Sequence, residues 1–269
     1  MNNRYYQLNK NLIPYKLGCY IPFVVLGDPS IEISLEIIYS LIKNGADGLE
    51  LGIPFSDPLA DGPIIQQANL RAFSANITLT KCFEMLFKIR THNPKIPIGI
   101  LIYANLIFKL GIQKFYSICS KIDIDSVLIA DVPIEESFEF EQHSIKNNID
   151  SIFVCPPDAS KNFLKKLSKH STGYIYLLSR SGVTGIDMKI TPPLKNFVKE
   201  LKKLTSIPII QGFGISNENQ IKNIILSGVS GVICGSVIIQ IIANNLNNKK
   251  IMLKKIKKLS NRFKKATII

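Results

Sequence analysis

Glu50, Asp57 and Asp61 stand close together in the segment Asp47-Gly-Leu-Glu-Leu-Gly-Ile-Pro-Phe-Ser-Asp-Pro-Leu-Ala-Asp-Gly-Pro63, one inside a short apolar run and two in the loop after it. Carboxylates in unlike surroundings acquire unlike proton affinities and can divide acid–base work between them. Residues 47–52 predict a buried strand, whose side-chain period of two sets Leu49 and Leu51 on one face and Gly48, Glu50 and Gly52 on the other. If the leucines pack outward beneath helices, Glu50 points inward. Burial disfavours the charged carboxylate, so Glu50 must be paired with an Arg or Lys from elsewhere, hydrated, or used. Asp57-Pro58 and Asp61-Gly62-Pro63 are also common turn pairings, so each aspartate alone reads equally as turn chemistry.

The elements that must position these groups alternate along the whole chain. Apolar, strand-like runs occur at 19–26, 47–52, 96–103, 126–131, 151–155, 174–178, 207–211 and 230–234. Between them lie helical patterns near 30–44, 63–73 with 79–92, 104–120, 135–147, 159–170, 191–204, 216–227 and 236–265, the last in two pieces. Nearly continuous apolar strands such as 96–103 suit a parallel sheet buried on both faces. Eight such βα units in 269 residues predict an α/β fold, a single (β/α)8 TIM barrel over 1–269 with a short N-terminal helix and extra helical segments. Chemistry in such a barrel is built at the C-terminal ends of the strands.

Two of those ends are glycine-rich. Gln211-Gly-Phe-Gly-Ile-Ser216 and Cys234-Gly-Ser-Val237 each run from a strand into a helix, where backbone N–H groups and the helix N-terminus attract an anion. Each alone also reads as a tight βα turn, but the seventh and eighth loops are where barrels commonly hold phosphate. Aldol-type cleavage of a sugar phosphate usually employs a Schiff-base lysine or a metal. Here no lysine lies in a strand core or at its C-terminal end, and no His, Asp or Cys constellation suggests a metal, so the work falls to carboxylates and hydroxyls. Tyr174 and Tyr176 share one face of their strand and are either cavity-lining or core aromatics.

Composition narrows the class. A hydrophobic content of 46% predicts an extensive core, no apolar run approaches the length of a membrane helix, and the first ten residues lack the apolar stretch of a secretory signal, so a soluble cytoplasmic protein is expected. The five cysteines are odd in number, scattered and never spaced as Cys-x-x-Cys, which reads as reduced core thiols. The formal charge of +13 and the lysine-rich C-terminal stretch invite a nucleic-acid reading. Yet Leu253, Ile256, Leu259 and Phe263 recur there at helical spacing, which describes an amphipathic helix with a solvated basic face; no nucleic-acid or membrane partner is expected.

The acidic segment 49–63, together with Tyr103-Ala-Asn105, Ala130-Asp-Val-Pro133, Ser179-Arg-Ser-Gly-Val-Thr-Gly185 and Gln211-Gly-Phe-Gly-Ile-Ser216, resembles the tryptophan synthase alpha subunit family across nearly the whole chain. The resemblance implies a carbon–carbon lyase that cleaves indole-3-glycerol phosphate to indole and glyceraldehyde 3-phosphate, with no cofactor of its own. It also implies a pyridoxal-phosphate beta subunit in an alpha2beta2 heterotetramer that takes the indole on to tryptophan. Position by position, it implies Glu50 as the acid and then base, and Asp61 as the ionised group holding the indole N–H. Phe23 and Leu101 would border the indole, Tyr176 the glycerol chain, and Gly185, Gly214, Gly235 and Ser236 the phosphate. Thr184 would meet Asp61, and Asp57, Asn105 and Pro133 would lie on the partner side. One departure is Val25, where relatives often carry Thr.

Overall fold

The computed structural model describes residues 4–12, 17–179 and 195–268. The apolar runs form parallel strands: β1 (Cys19–Val25), β2 (Leu49–Gly52), β3 (Ile98–Ile102), β4 (Ser126–Ile129), β5 (Asp150–Ser151), β6 (Phe153–Cys155), β7 (Ile175–Leu178), β8 (Ile209–Gly212) and β9 (Gly231–Cys234). Their order around the sheet is β5-β4-β3-β2-β1-β9-β8-β7-β6. The strands at its two ends are consecutive in the chain and separated only by Ile152, whose N–H continues the ladder to Val127 O at 3.0 Å. The expected fifth strand is therefore divided: its first half pairs with β4 and its second with β7, and the ring closes at that point. Eight runs were expected and nine strands form for this reason, while the architecture is the predicted barrel.

Helices cover the outside of the ring: α2 (Ile31–Lys43), α3 (Pro63–Ser74), α4 (Leu79–His92), α5 (Ala104–Leu110), α6 (Ile112–Ile122), α7 (Phe138–Lys146), α8 (Lys161–His170), α9 (Lys195–Leu204), α10 (Glu218–Leu226), α11 (Ser236–Ala243) and α12 (Lys249–Ala266), after an N-terminal α1 (Arg4–Leu12). Their starts follow local capping chemistry. Ser30, Thr78 and Ser160 accept from the N–H three residues on, and Asn217 with Gln220 forms a reciprocal capping box. The pattern expected as one helix over 104–120 breaks at Gly111, whose φ of 91° few other residues adopt. Leu49 and Leu51 are fully buried outward as expected, each such side chain contributing about 1.5–3 kcal/mol.

Carboxylates tie neighbouring units together. Asp47 Oδ2 accepts from Tyr20 N at 2.7 Å, Asp125 Oδ2 from Ile98 N at 2.7 Å, and Asp131 Oδ1 from Ala104 N at 2.8 Å. At the N-terminal end of the strands, α1 stoppers the barrel. Tyr5 is buried there with its hydroxyl 2.9 Å from Ser126 Oγ and its ring edge-on to Tyr174 at 5.2 Å, while Arg4 pairs with Asp123 and Asp125. The basic α12 buries Met252, Ile256, Leu259 and Phe263, and three of its cations pair with Glu36, Glu218 and Asp47. All five cysteines are buried and free. No described helix is long and apolar enough to cross a membrane.

Candidate active site

At the opposite end of the strands lies a cavity of about 230 Å³ whose walls are mostly apolar. Glu50 enters it from β2 and Asp61 from the loop between β2 and α3. Both carboxylates are buried, at 2% and 7% exposure, and among the described residues neither is ion-paired. The Arg or Lys that would have made Glu50 a structural group is replaced by a phenol: Tyr174 donates its hydroxyl to Glu50 Oε1 at 3.1 Å. Burial pushes the Glu50 carboxyl up to about 8, against that hydrogen bond and with the charge of Asp61 adding to the rise. Asp61 is raised only to about 6, because donors from Tyr103 and Asn69 favour its charged form. At neutral pH the cavity thus holds one carboxylic acid and one carboxylate.

The strand period brings the remaining lining into place. Phe23, Leu101, Tyr176, Gly214, Gly235 and Ser236, the residues that the family resemblance implied, all line the cavity. Tyr176 stands edge-on to Phe213 at 6.1 Å, and its hydroxyl occupies the space beside Gly212, where a Cβ would come within 2.0 Å of it. Ser179 Oγ donates to Phe213 O at 2.6 Å and so fastens the end of β7 to the glycine turn after β8. Ser236 opens α11, so the positive end of that helix meets the cavity beside Gly235.

Other expected residues fall elsewhere. Asp57, Asn105 and Pro133 are exposed and do not line the cavity. Thr184 and Gly185 lie outside the described residues. Val25 is buried and outside the lining. Tyr174, which the sequence left open between cavity and core, sits under Glu50 as its hydrogen-bond donor and is not part of the lining. Leu128, Ala130, Val154, Leu178, Phe213 and Ile233 also line the site and were not singled out from the sequence. A signal existed for several of them: Ala130 is two residues beyond Leu128, and Leu178 two beyond Tyr176, on the same strand faces. Among the described residues no cluster of three or more His, Cys, Asp or Glu side chains forms a metal site.

Comparison with known proteins decides the lineage. The family model described as tryptophan synthase alpha chain matches residues 10–268. This chain belongs to the tryptophan synthase alpha chain family. The tryptophan synthase alpha chain of Buchnera aphidicola subsp. Schlechtendalia chinensis is 64% identical over 267 residues, covering 99% of both chains. That of Escherichia coli O157:H7 is 51% identical over 264 residues, or 98% of each. Among solved structures, tryptophan synthase subunit alpha from Legionella pneumophila str. Paris superposes with a TM-score of 0.88 at 29% identity over 98% of both chains. A chain of the tryptophan synthase complex from Pyrococcus furiosus does so with 0.82 at 27%, over 93% of this chain and 98% of that one. The tryptophan synthase alpha fold thus spans the site just described from Phe23 to Ser236.

Proposed function

We propose that this chain, acting as one barrel domain over 1–269, cleaves indole-3-glycerol phosphate to indole and glyceraldehyde 3-phosphate. The observation that carries this reading is the pair of buried carboxyls, Glu50 and Asp61, neither ion-paired among the described residues, facing a mostly apolar cavity that ends at a glycine-rich helix start. Glu50 delivers its proton to indole C3, and the positive charge that spreads to the ring nitrogen is met by Asp61, which accepts the N–H. Glu50, now a carboxylate, takes the proton of the hydroxyl on the carbon attached to C3. The carbon–carbon bond then breaks, its electron pair returns to the ring as neutral indole, and the hydroxyl-bearing carbon leaves as the aldehyde. Glu50 is reprotonated by that second transfer, so the cycle closes without a cofactor in this chain.

Phe23 and Leu101 flank the indole in this reading, Tyr176 lies beside the glycerol chain, and Gly214, Gly235 and Ser236 with Gly185 hold the phosphate. Thr184 meets Asp61 on the closing side. The exposed Asp57, Asn105 and Pro133 face a beta subunit in an alpha2beta2 heterotetramer, a cytoplasmic assembly in which the beta chain carries pyridoxal phosphate and consumes the indole. The direct test is release of free indole from indole-3-glycerol phosphate by the purified chain, followed colorimetrically, with and without a beta chain. A ketose phosphate in place of indole would mark a sugar-phosphate isomerase and end the reading.

A further inference from the structure

The turn that follows β8 takes a path its sequence does not favour. Phe213 and Gly214 are both left-handed, with φ of 73° and 72°, and for a residue as bulky as Phe213 that conformation is costly unless its surroundings hold it. Two neighbours do so. Ser179, buried at 5% exposure just beyond β7, donates its N–H to Gly212 O at 3.2 Å and its hydroxyl to Phe213 O at 2.6 Å, so that one residue grips two successive carbonyls of the turn. On the far side, Gln220 Oε1 accepts from Ser216 N at 2.8 Å and from Asn217 N at 3.2 Å, which ties the exit of the turn to α10.

The hydroxyl contact has a directional consequence. The peptide between Phe213 and Gly214 is planar and trans, so its C=O and N–H point in opposite directions. With the carbonyl turned to Ser179, the Gly214 N–H points away from Ser179; Gly214 lines the cavity, Ser179 does not, and among the described residues that N–H meets no acceptor. We propose that Ser179 is a positioning residue for the reaction, whose hydroxyl fixes the Phe213–Gly214 peptide so that the Gly214 N–H is presented to the phosphate of the substrate. This rests on the reading of that end of the cavity as the phosphate site. The Ser179 hydroxyl acts only through the peptide, and a donor already aimed binds without the cost of ordering it. Without it the Phe213 carbonyl loses its side-chain donor, and the peptide can turn towards less strained backbone.

The experiment titrates the nitrogen-15-labelled full chain with inorganic phosphate and reads the dissociation constant at the Gly214 amide, beside equilibrium dialysis of indole and the kinetics of indole release, for wild type, Ser179→Ala and Ser179→Thr. In the wild type the Gly214 amide proton should move downfield as phosphate binds. Ser179→Ala should weaken phosphate about tenfold and leave indole within about twofold, raising KM for indole-3-glycerol phosphate with a smaller change in kcat, and Ser179→Thr, which keeps the hydroxyl, should restore phosphate affinity. A merely structural role would lower the melting temperature and leave both affinities as they are, or shift both together; either result, or a Gly214 amide that ignores phosphate, overturns the proposal. Should Ser179→Ala fail to fold, Ser179→Cys, with a poorer donor of similar size, decides by the same readings. A wild-type chain that releases no indole would remove the functional reading, while the phosphate titration would still decide the role of Ser179.

Discussion

The two ends of the barrel bury carboxylates in opposite ways. At the base, Asp125 meets Arg4 at 2.8 Å, Arg90 at 2.5 Å and the N–H of Ile98, and Arg90 in turn donates to the carbonyls of Asp123 and Ile96. At the mouth, among the described residues, Glu50 accepts from the Tyr174 phenol and Asp61 from the Tyr103 phenol. Burial raises all three carboxyls, but at the base two guanidiniums oppose the rise, whereas at the mouth, among the described residues, neutral donors do. A buried carboxylate surrounded by cations is locked in one state and serves the fold. One surrounded by neutral donors can change its state near neutral pH and serves chemistry.

The comparison breaks most decisively at Glu50. Glu50→Gln should reduce indole release by about a thousandfold or more, with the circular dichroism spectrum unchanged; near-wild-type turnover would remove the division of roles. Asp61→Asn should cost a comparable factor, since the ring nitrogen then meets a neutral amide. At the base the effect should be on stability alone. Arg90→Ala leaves Asp125 short of a cation and should lower the free energy of unfolding by about 3–5 kcal/mol in urea, with turnover per folded molecule retained. A loss below about 1 kcal/mol would mean that the base is not a locked ion pair.

Dependence on pH sharpens the contrast. Activity should rise through about pH 6 as Asp61 ionises and fall through about pH 8 as Glu50 loses its proton. Because the folded state binds the Glu50 proton more tightly than the unfolded chain does, stability is lost as pH climbs from the ordinary carboxylate range to about 8. Glu50→Gln should therefore raise the melting temperature, more at pH 8.5 than at pH 5, and an equal gain at both would contradict the raised carboxyl. The smallest effect belongs to Tyr174→Phe. It removes the only hydrogen bond described for the Glu50 carboxyl and should move the basic limb upward by a few tenths of a unit, with a loss of about threefold to tenfold in kcat.

Most of the barrel was legible because its strands are apolar on both faces and its helices carry caps. The inward turn of Glu50 followed from one period-two argument, whereas the same argument put Tyr174 and Tyr176 on one face and left both open between cavity and core. What could not be read locally was partnership across the barrel. Tyr174 is 124 residues from Glu50, and Tyr103 is 42 from Asp61; nothing in either segment announces the other. The Arg4–Asp125–Arg90 cluster was missed for the same reason, since it joins the N-terminal helix, α4 and the start of β4. The break at Gly111 and the division at Ile152 were smoothed over because the apolar pattern runs across both. The glycine turns after β8 and β9 were legible because glycine marks where backbone can approach closely, and Gly214 and Gly235 line the cavity.

The aromatic stopper formed by Tyr5 beneath Tyr174 has a further consequence for isotopes. Among the described residues, Tyr5 and Tyr174 lie on the base side of Glu50, and the cavity that Glu50 lines opens at the mouth, where a seated substrate would stand between the carboxyl and water. A hydron loaded onto the free acid would thus be committed to the ring once the mouth is occupied. In heavy water a single turnover should label indole at C3 according to the solvent the chain last saw before binding, rather than the solvent in which the bond is cut.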